Sequence, residues 1–239
     1  MPAARLPVLD GLRRSRARAF LLDMDGVVAD NMPAHVEAWR RFFLKRGIVL
    51  DAREFRERTM GMPTREVLAY YFRRKVPRQE ALDLCRDKER LYRRLYRPAL
   101  RCARGLRSFL SSARRQGWRL GLGTGALEDN VSFLLGGLGL RRRFDAVVTA
   151  AQVRRGKPHP ETFLALAAEL GVAPRRCVVF EDSLLGEEAA HRAGMSVAAI
   201  TTSHGAGEFR WACLAAADFS RLTPEAVWRA RGGARAAAA

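Results

Sequence analysis

Cysteine, lysine and long apolar runs are all scarce in this chain, and each shortage excludes something. The four cysteines, Cys85, Cys102, Cys177 and Cys213, are too scattered for a disulfide framework or a paired metal motif. They read as idle or buried thiols in a reducing, cytoplasmic setting. No run approaches the ~20 apolar residues that a membrane-spanning helix needs, so no membrane partner is expected. The basic stretch Arg5–Arg18 lacks an apolar h-region and a small-residue cleavage site, and no secretory signal is predicted there. Aromatic residues make up 8% of the chain, and few are placed as a platform for stacked bases.

Positive charge, in contrast, is abundant. The formal net charge is +18, but 39 of the 43 basic residues are arginine and only Lys45, Lys75, Lys88 and Lys157 are lysine. That skew, beside so much alanine, reads as codon usage in a GC-rich genome. The surplus is uneven: residues 53–115 carry 19 basic and 7 acidic side chains. Attraction of small anionic substrates accounts for such a field more simply than specific nucleic-acid binding, which is not expected. A basic nucleic-acid-binding protein on an inactive scaffold is the alternative from a different class.

At 239 residues the chain can hold one large core, or a core with a small insert. Short apolar runs predict strands at Ala19–Asp23, Trp118–Gly123, Phe144–Thr149, Cys177–Phe180 and Met195–Ile200. Helical patterns lie between them, around Gly105–Gln116, Leu127–Leu138, Pro160–Leu170 and Leu184–Ala193. Strand–helix alternation on this period predicts an α/β fold with a parallel sheet and right-handed crossovers. One interval breaks the rhythm. Residues 32–101 show no clear strand but three amphipathic helices, Met32–Arg46, Pro63–Arg74 and Pro77–Arg97, with Trp39, Phe42 and Phe43 on one apolar face. They are expected to form a helical cap domain inserted into a core made of residues 1–31 and 102–239, sitting over the site. Past Thr223 the chain is expected to fade through Arg231-Gly232-Gly233 into a frayed Ala236–Ala239 tail.

The chemistry gathers at the predicted strand ends. Asp23-Met24-Asp25-Gly26 follows the first strand, and side chains at i and i+2 share one side of an extended segment. Two acids buried together there need a cation or a proton, and a hard oxygen-seeking ion such as Mg2+ is the natural companion of phosphate. Thr124, between Gly123 and Gly125, offers a hydroxyl and free backbone N–H groups to a phosphate oxygen. Lys157 is braced by Gly156, Pro158 and Pro160. Glu181 and Asp182 end a further strand on the same edge. Such a set suffices for phosphoryl transfer through an aspartyl phosphate: Asp23 attacks phosphorus, and Asp25 protonates the leaving oxygen and then deprotonates the acceptor. Mg2+ offsets the carboxylate charge while Lys157 and Thr124 hold the remaining oxygens.

These residues resemble the haloacid dehalogenase superfamily in its helical-cap branch. Its four motifs match Asp23-x-Asp25-Gly26-Val27, Thr124, Lys157 and Glu181-Asp182-Ser183, in order. The resemblance implies a Rossmann-like core, a phosphoaspartate at Asp23, and Mg2+ held by Asp23, the carbonyl of Asp25, Glu181 and Asp182. It implies phosphoryl chemistry rather than dehalogenation, because dehalogenating members lack an acid matching Asp25. Asp30-Asn31-Met32-Pro33-Ala34-His35 through Trp39 is similar to the β-phosphoglucomutase-like subgroup of sugar-phosphate phosphatases and mutases. Gly61-Met62-Pro63-Thr64-Arg65 matches the segment whose arginine grips a distal phosphate. Asp87-Lys88-Glu89-Arg90 matches the segment supplying a cap lysine, and His35 matches a histidine near the hinge. His35, Arg65 and Lys88 are therefore the expected substrate-binding residues. Ala126 and Leu127 stand where the mutase carries polar residues. The expectation is thus a monomeric, Mg2+-dependent phosphatase of a small phosphorylated metabolite, with β-phosphoglucomutase as the alternative.

Overall fold

The computed structural model describes residues 17–59 and 62–231. Most of the basic stretch Arg5–Arg18, Gly61 of the Gly61–Arg65 segment, and the tail beyond Arg231 lie outside the described residues. Contacts divide the chain into two units, one holding the residues up to Asp30 and those from Cys102 onward, the other Asn31–Arg101.

The first unit is built on a six-stranded sheet of β1 (Ala19–Leu22), β2 (Arg119–Gly123), β3 (Ala146–Val148), β4 (Cys177–Glu181), β5 (Ser196–Ile200) and β6 (Ala212–Ala216). The order is β3-β2-β1-β4-β5-β6, and every pairing is parallel. The central strands are buried along their whole length, as a parallel sheet covered on both faces requires. Alternate residues of β1 feed two cores. Ala19 and Leu21 join Phe163, Leu166, Ala189 and Ala190, whereas Phe20 meets Phe109, Trp118 and Phe180. Burying each such phenylalanine contributes about 1.5–3 kcal/mol.

The described residues of the second unit form the α-helices α1 (Met32–Leu44), α2 (Ala52–Arg58), α3 (Thr64–Phe72) and α4 (Arg78–Tyr96). Trp39, Phe42 and Phe43 of α1 are buried; Trp39 also contacts Phe55, and Phe43 also contacts Tyr71 and Phe72. Back in the first unit lie α5 (Leu106–Arg115), α6 (Glu128–Val131), α7 (Glu161–Glu169), α8 (Leu184–Arg192) and α9 (Pro224–Ala230).

Several elements differ from the sequence expectation. The strand β6 was not predicted: Ala-Cys-Leu-Ala-Ala has no β-branched residue, and it is a half-exposed edge strand pairing with β5 through a register shift. The helix α2 has Phe55 as its one buried residue among those whose burial is described, and Asp51 caps it by accepting from the Glu54 N–H at 2.7 Å. The expected fading past Thr223 does not hold over Pro224–Ala230, which is helical, and its continuation beyond Arg231 lies outside the described residues. Thr223 accepts from the Ala226 N–H at 3.2 Å with Pro224 at the first helical position, and these two residues start α9. The expected Leu127–Leu138 helix is instead one short α-helical turn continued by a π-helical turn over Ser132–Gly136.

Candidate active site

Register brings the acids together. Leu22 of β1 pairs with Leu122 of β2 and Phe180 of β4, so the residues that follow them, Asp23, Gly123 and Glu181, stand level at the carboxyl edge. Carboxylate oxygens of Asp23, Glu181 and Asp182 lie within 4.8 Å of one another, and all three residues are buried. The Lys157 ammonium donates to Asp23 Oδ1 at 2.5 Å and also to Glu181 Oε1. Its loop is tied down by Glu161, the first residue of α7, which accepts from the N–H groups of Arg154 and Arg155.

Two glycines make the crowding possible. Gly26 has φ +79°, and a Cβ there would fall 1.9 Å from Asp182 Oδ2. A Cβ at Gly186, in the first turn of α8, would fall 1.9 Å from Glu181 Oε1. Glu181 Oε2 accepts from the Asp182 and Ser183 N–H groups, both at 3.1 Å, and from the Ser183 hydroxyl at 2.9 Å. Ser183 in turn caps α8 by accepting from the Gly186 N–H.

The electrostatics are unbalanced. Burial pushes the Asp23 carboxyl well above the usual carboxylate range. Lys157 opposes that rise, and Glu181, Asp182 and Asp25 add to it. Burial, reinforced by Glu181, pushes Asp182 up to about 7 against the hydrogen bond from Ser203. Burial alone would lower the Lys157 ammonium, yet Asp23 and Glu181 outweigh it and hold the group above its ordinary value. One lysine thus faces several carboxylates. Hard oxygen donors with uncompensated negative charge in a dry site are what a divalent cation such as Mg2+ takes, so the donor set fits that ion.

Thr124 is buried one residue beyond β2, where its Oγ1 accepts from the Ala126 N–H at 3.1 Å, and Gly125 is exposed beside it. Asp25 lies in the Asp23–Ala29 loop, half-buried. The remaining sequence-nominated residues belong to the Asn31–Arg101 unit. Lys88 is buried there and donates to His35 Nδ1 at 2.9 Å and to Glu89 Oε1 at 2.7 Å. The His35 ring stacks on Tyr92 at 3.7 Å. Arg65, in the first turn of α3, is exposed.

Sequence reasoning missed Thr202, Ser203 and His204. The Thr202 hydroxyl donates to the Gly26 carbonyl at 2.7 Å, and the Ser203 hydroxyl donates to Asp182 Oδ2. His204 Nδ1 donates to the Asp182 carbonyl at 3.0 Å. The available signal was three polar residues directly past the end of β5, on the same edge as the acids.

A parallel α/β sheet with a lysine-bridged acid cluster at its carboxyl edge has its candidate active site where such folds carry their chemistry. The chain belongs to the haloacid dehalogenase-like hydrolase family, whose model matches residues 17–194. It is 33% identical over 180 residues to the fructose-1-phosphate phosphatase YqaB of Escherichia coli, covering 75% of this chain and 94% of that one. It is 34% identical to a phosphorylated carbohydrates phosphatase of Thermotoga maritima, over 74% of this chain and 82% of that one. Among solved structures, a β-phosphoglucomutase from Clostridium difficile is similar with a TM-score of 0.79 and 27% identity, covering 90% of this chain and 97% of that one.

Proposed function

We propose that the protein is a Mg2+-dependent phosphohydrolase of a small phosphorylated metabolite, of the sugar-phosphate class, working as a cytoplasmic monomer. The observation that carries this reading is the junction of Asp23, Glu181 and Asp182 around the Lys157 ammonium at the sheet edge. Similarity to phosphatases of phosphorylated sugars supports the substrate class. The described residues contain no helix long and apolar enough to cross a membrane, and all four cysteines are unpaired, which agrees with a reducing compartment.

In the proposed reaction a carboxylate oxygen of Asp23 attacks phosphorus and the bond to the leaving oxygen breaks. Asp25 gives that oxygen its proton. Water then attacks the phosphoaspartate, Asp25 takes the water proton, and the bond between phosphorus and Asp23 breaks to release phosphate. Lys157, Thr124 and the Gly125 N–H hold the non-bridging oxygens. Asp23, Glu181 and Asp182, with the Asp25 carbonyl, would hold Mg2+, which when bound offsets their charge against an incoming phosphate. His35, Arg65 and Lys88 are assigned to substrate selection.

The similarity to a β-phosphoglucomutase gives the second reading, in which the phosphoaspartate passes its phosphoryl group to a sugar phosphate. Incubation with Mg2+ and fructose 1-phosphate, or with β-glucose 1-phosphate with and without glucose 1,6-bisphosphate, separates the two. Steady phosphate release is expected. Primer-dependent conversion to glucose 6-phosphate with little free phosphate would make the protein a mutase.

A further inference from the structure

The Asn31–Arg101 unit contains a groove that the proposed reaction does not use. It runs between the end of α1 and the second half of α4, is open to solvent and has a volume of about 470 Å3. From α4 it takes Asp87, Arg90, Leu91 and Arg94, which follow the i, i+3, i+4, i+7 spacing of one helical face. From the end of α1 it takes Phe42, Lys45 and Arg46, spaced i, i+3, i+4.

Four cations therefore face one carboxylate. Asp87 is shared between Arg90 and Arg46, the latter at 3.6 Å. Arg46 is further committed: it donates to the Phe42 carbonyl at 2.9 Å and lies 3.8 Å over the Phe42 ring. Lys45 and Arg94 are different. Neither side chain has an ion pair or hydrogen bond among the described residues, and both residues are exposed along the groove. The floor is apolar, because Phe42 and Leu91 are only 2% and 8% exposed. The volume lies in the range of small-ligand sites, and an apolar floor beneath convergent cations is the make-up such a site needs. Two unpaired cations flanking a shared Arg–Asp–Arg bridge ask for a ligand with at least two negative groups.

We propose that this groove is a second anion site, which binds a compact metabolite carrying two phosphoryl groups or one diphosphate. Lys45 and Arg94 supply the charge-assisted contacts, Arg90 exchanges part of its bond to Asp87 for the ligand, and Phe42 and Leu91 support the carbon skeleton. The inference does not depend on the reading of the sheet-edge acids, since none of them lines the groove.

The probe is imidodiphosphate, a diphosphate analogue that resists hydrolysis, titrated calorimetrically into the full-length protein in EDTA and low salt. Saturable binding is expected. Lys45→Ala/Arg94→Ala should weaken it by at least about tenfold, the equivalent of one lost charge-assisted bond, with unchanged thermal stability and unchanged Mg2+-dependent turnover of p-nitrophenyl phosphate. Asp23→Asn should leave the affinity as it is. Absence of saturable binding, wild-type affinity in the double variant, or loss of binding in Asp23→Asn would each overturn the proposal. A single-stranded oligonucleotide that displaces the probe, and whose binding the double variant removes, would overturn the small-molecule assignment.

Discussion

Each unit of this protein holds a lysine against carboxylates, Lys88 buried and Lys157 half-buried, and the two have opposite surroundings. Lys88 has a single carboxylate partner, Glu89, together with the His35 ring nitrogen, and it lies 4.9 Å from the centre of the Trp39 ring and 5.9 Å from that of Tyr92. Its charge is matched and its donors are used. Lys157 is shared between Asp23 and Glu181, with Asp182 alongside, and the carboxyls of Asp23 and Asp182 are driven up by burial. A buried ion pair of matched charge needs no further ion, whereas a buried set with surplus negative charge calls for a cation or a proton. The contrast separates a lysine whose charge is matched by one carboxylate from one that faces a surplus of them.

The largest expected effect falls on the unbalanced set. Asp23→Asn should lower turnover of any phosphomonoester by at least about 10^4-fold while circular dichroism and melting temperature stay near wild type. Activity near wild type in that variant would remove Asp23 from the mechanism.

Next comes the balanced set. Lys88→Met should destabilise the fold by about 3 kcal/mol, because it removes the ammonium that the buried Glu89 carboxylate pairs with, and Lys88→Met/Glu89→Gln should recover part of the loss. Chemical denaturation measures both. A double variant no more stable than the single one would show that Lys88 does more than pair.

Metal-free protein should then reveal the surplus charge at the sheet edge. Asp23 and Asp182 have folded pKa values above their unfolded ones, so the folded state binds more protons and stability falls as pH rises. In EDTA the melting temperature should drop by several degrees, on the order of 5 °C, between about pH 4 and about pH 7. Mg2+ should reverse most of the drop. A melting temperature flat across that window, with and without Mg2+, would mean that the acids are compensated by something else.

The smallest effect is expected at Arg65. Arg65→Ala should raise KM roughly tenfold for substrates bearing a second anion and spare p-nitrophenyl phosphate. Equal losses on both would place Arg65 outside substrate recognition.

Much of this could be read from local sequence because local rules govern it. The runs Ala19–Leu22 and Cys177–Glu181 are apolar, flanked by acids, and long enough for a buried strand. Asp23, Lys157, Glu181 and Asp182, nominated from the chain alone, are in contact in the fold. What escaped depends on pairing or on capping. Thr202, Ser203 and His204 matter only because β5 lies beside β4, an adjacency that no local pattern encodes. The strand β6 has the composition of a helix and exists because β5 offers it an edge. The helix α9 begins with Thr223-Pro224, a start signal followed by a helix of 7 residues, too short to display a full apolar period. The anion groove arises from two helices about forty residues apart in sequence, whose basic residues looked like ordinary solvated charge.

The central claim is that the surplus carboxylates serve a covalent step at Asp23. Acid quenching of the enzyme during turnover of fructose 1-phosphate with Mg2+, followed by peptide mapping, tests it most directly. A phosphoryl group on Asp23, absent in EDTA and absent from Asp23→Asn, is the predicted result. Phosphate release at full rate with no label on Asp23, or with the label on another residue, would contradict the account.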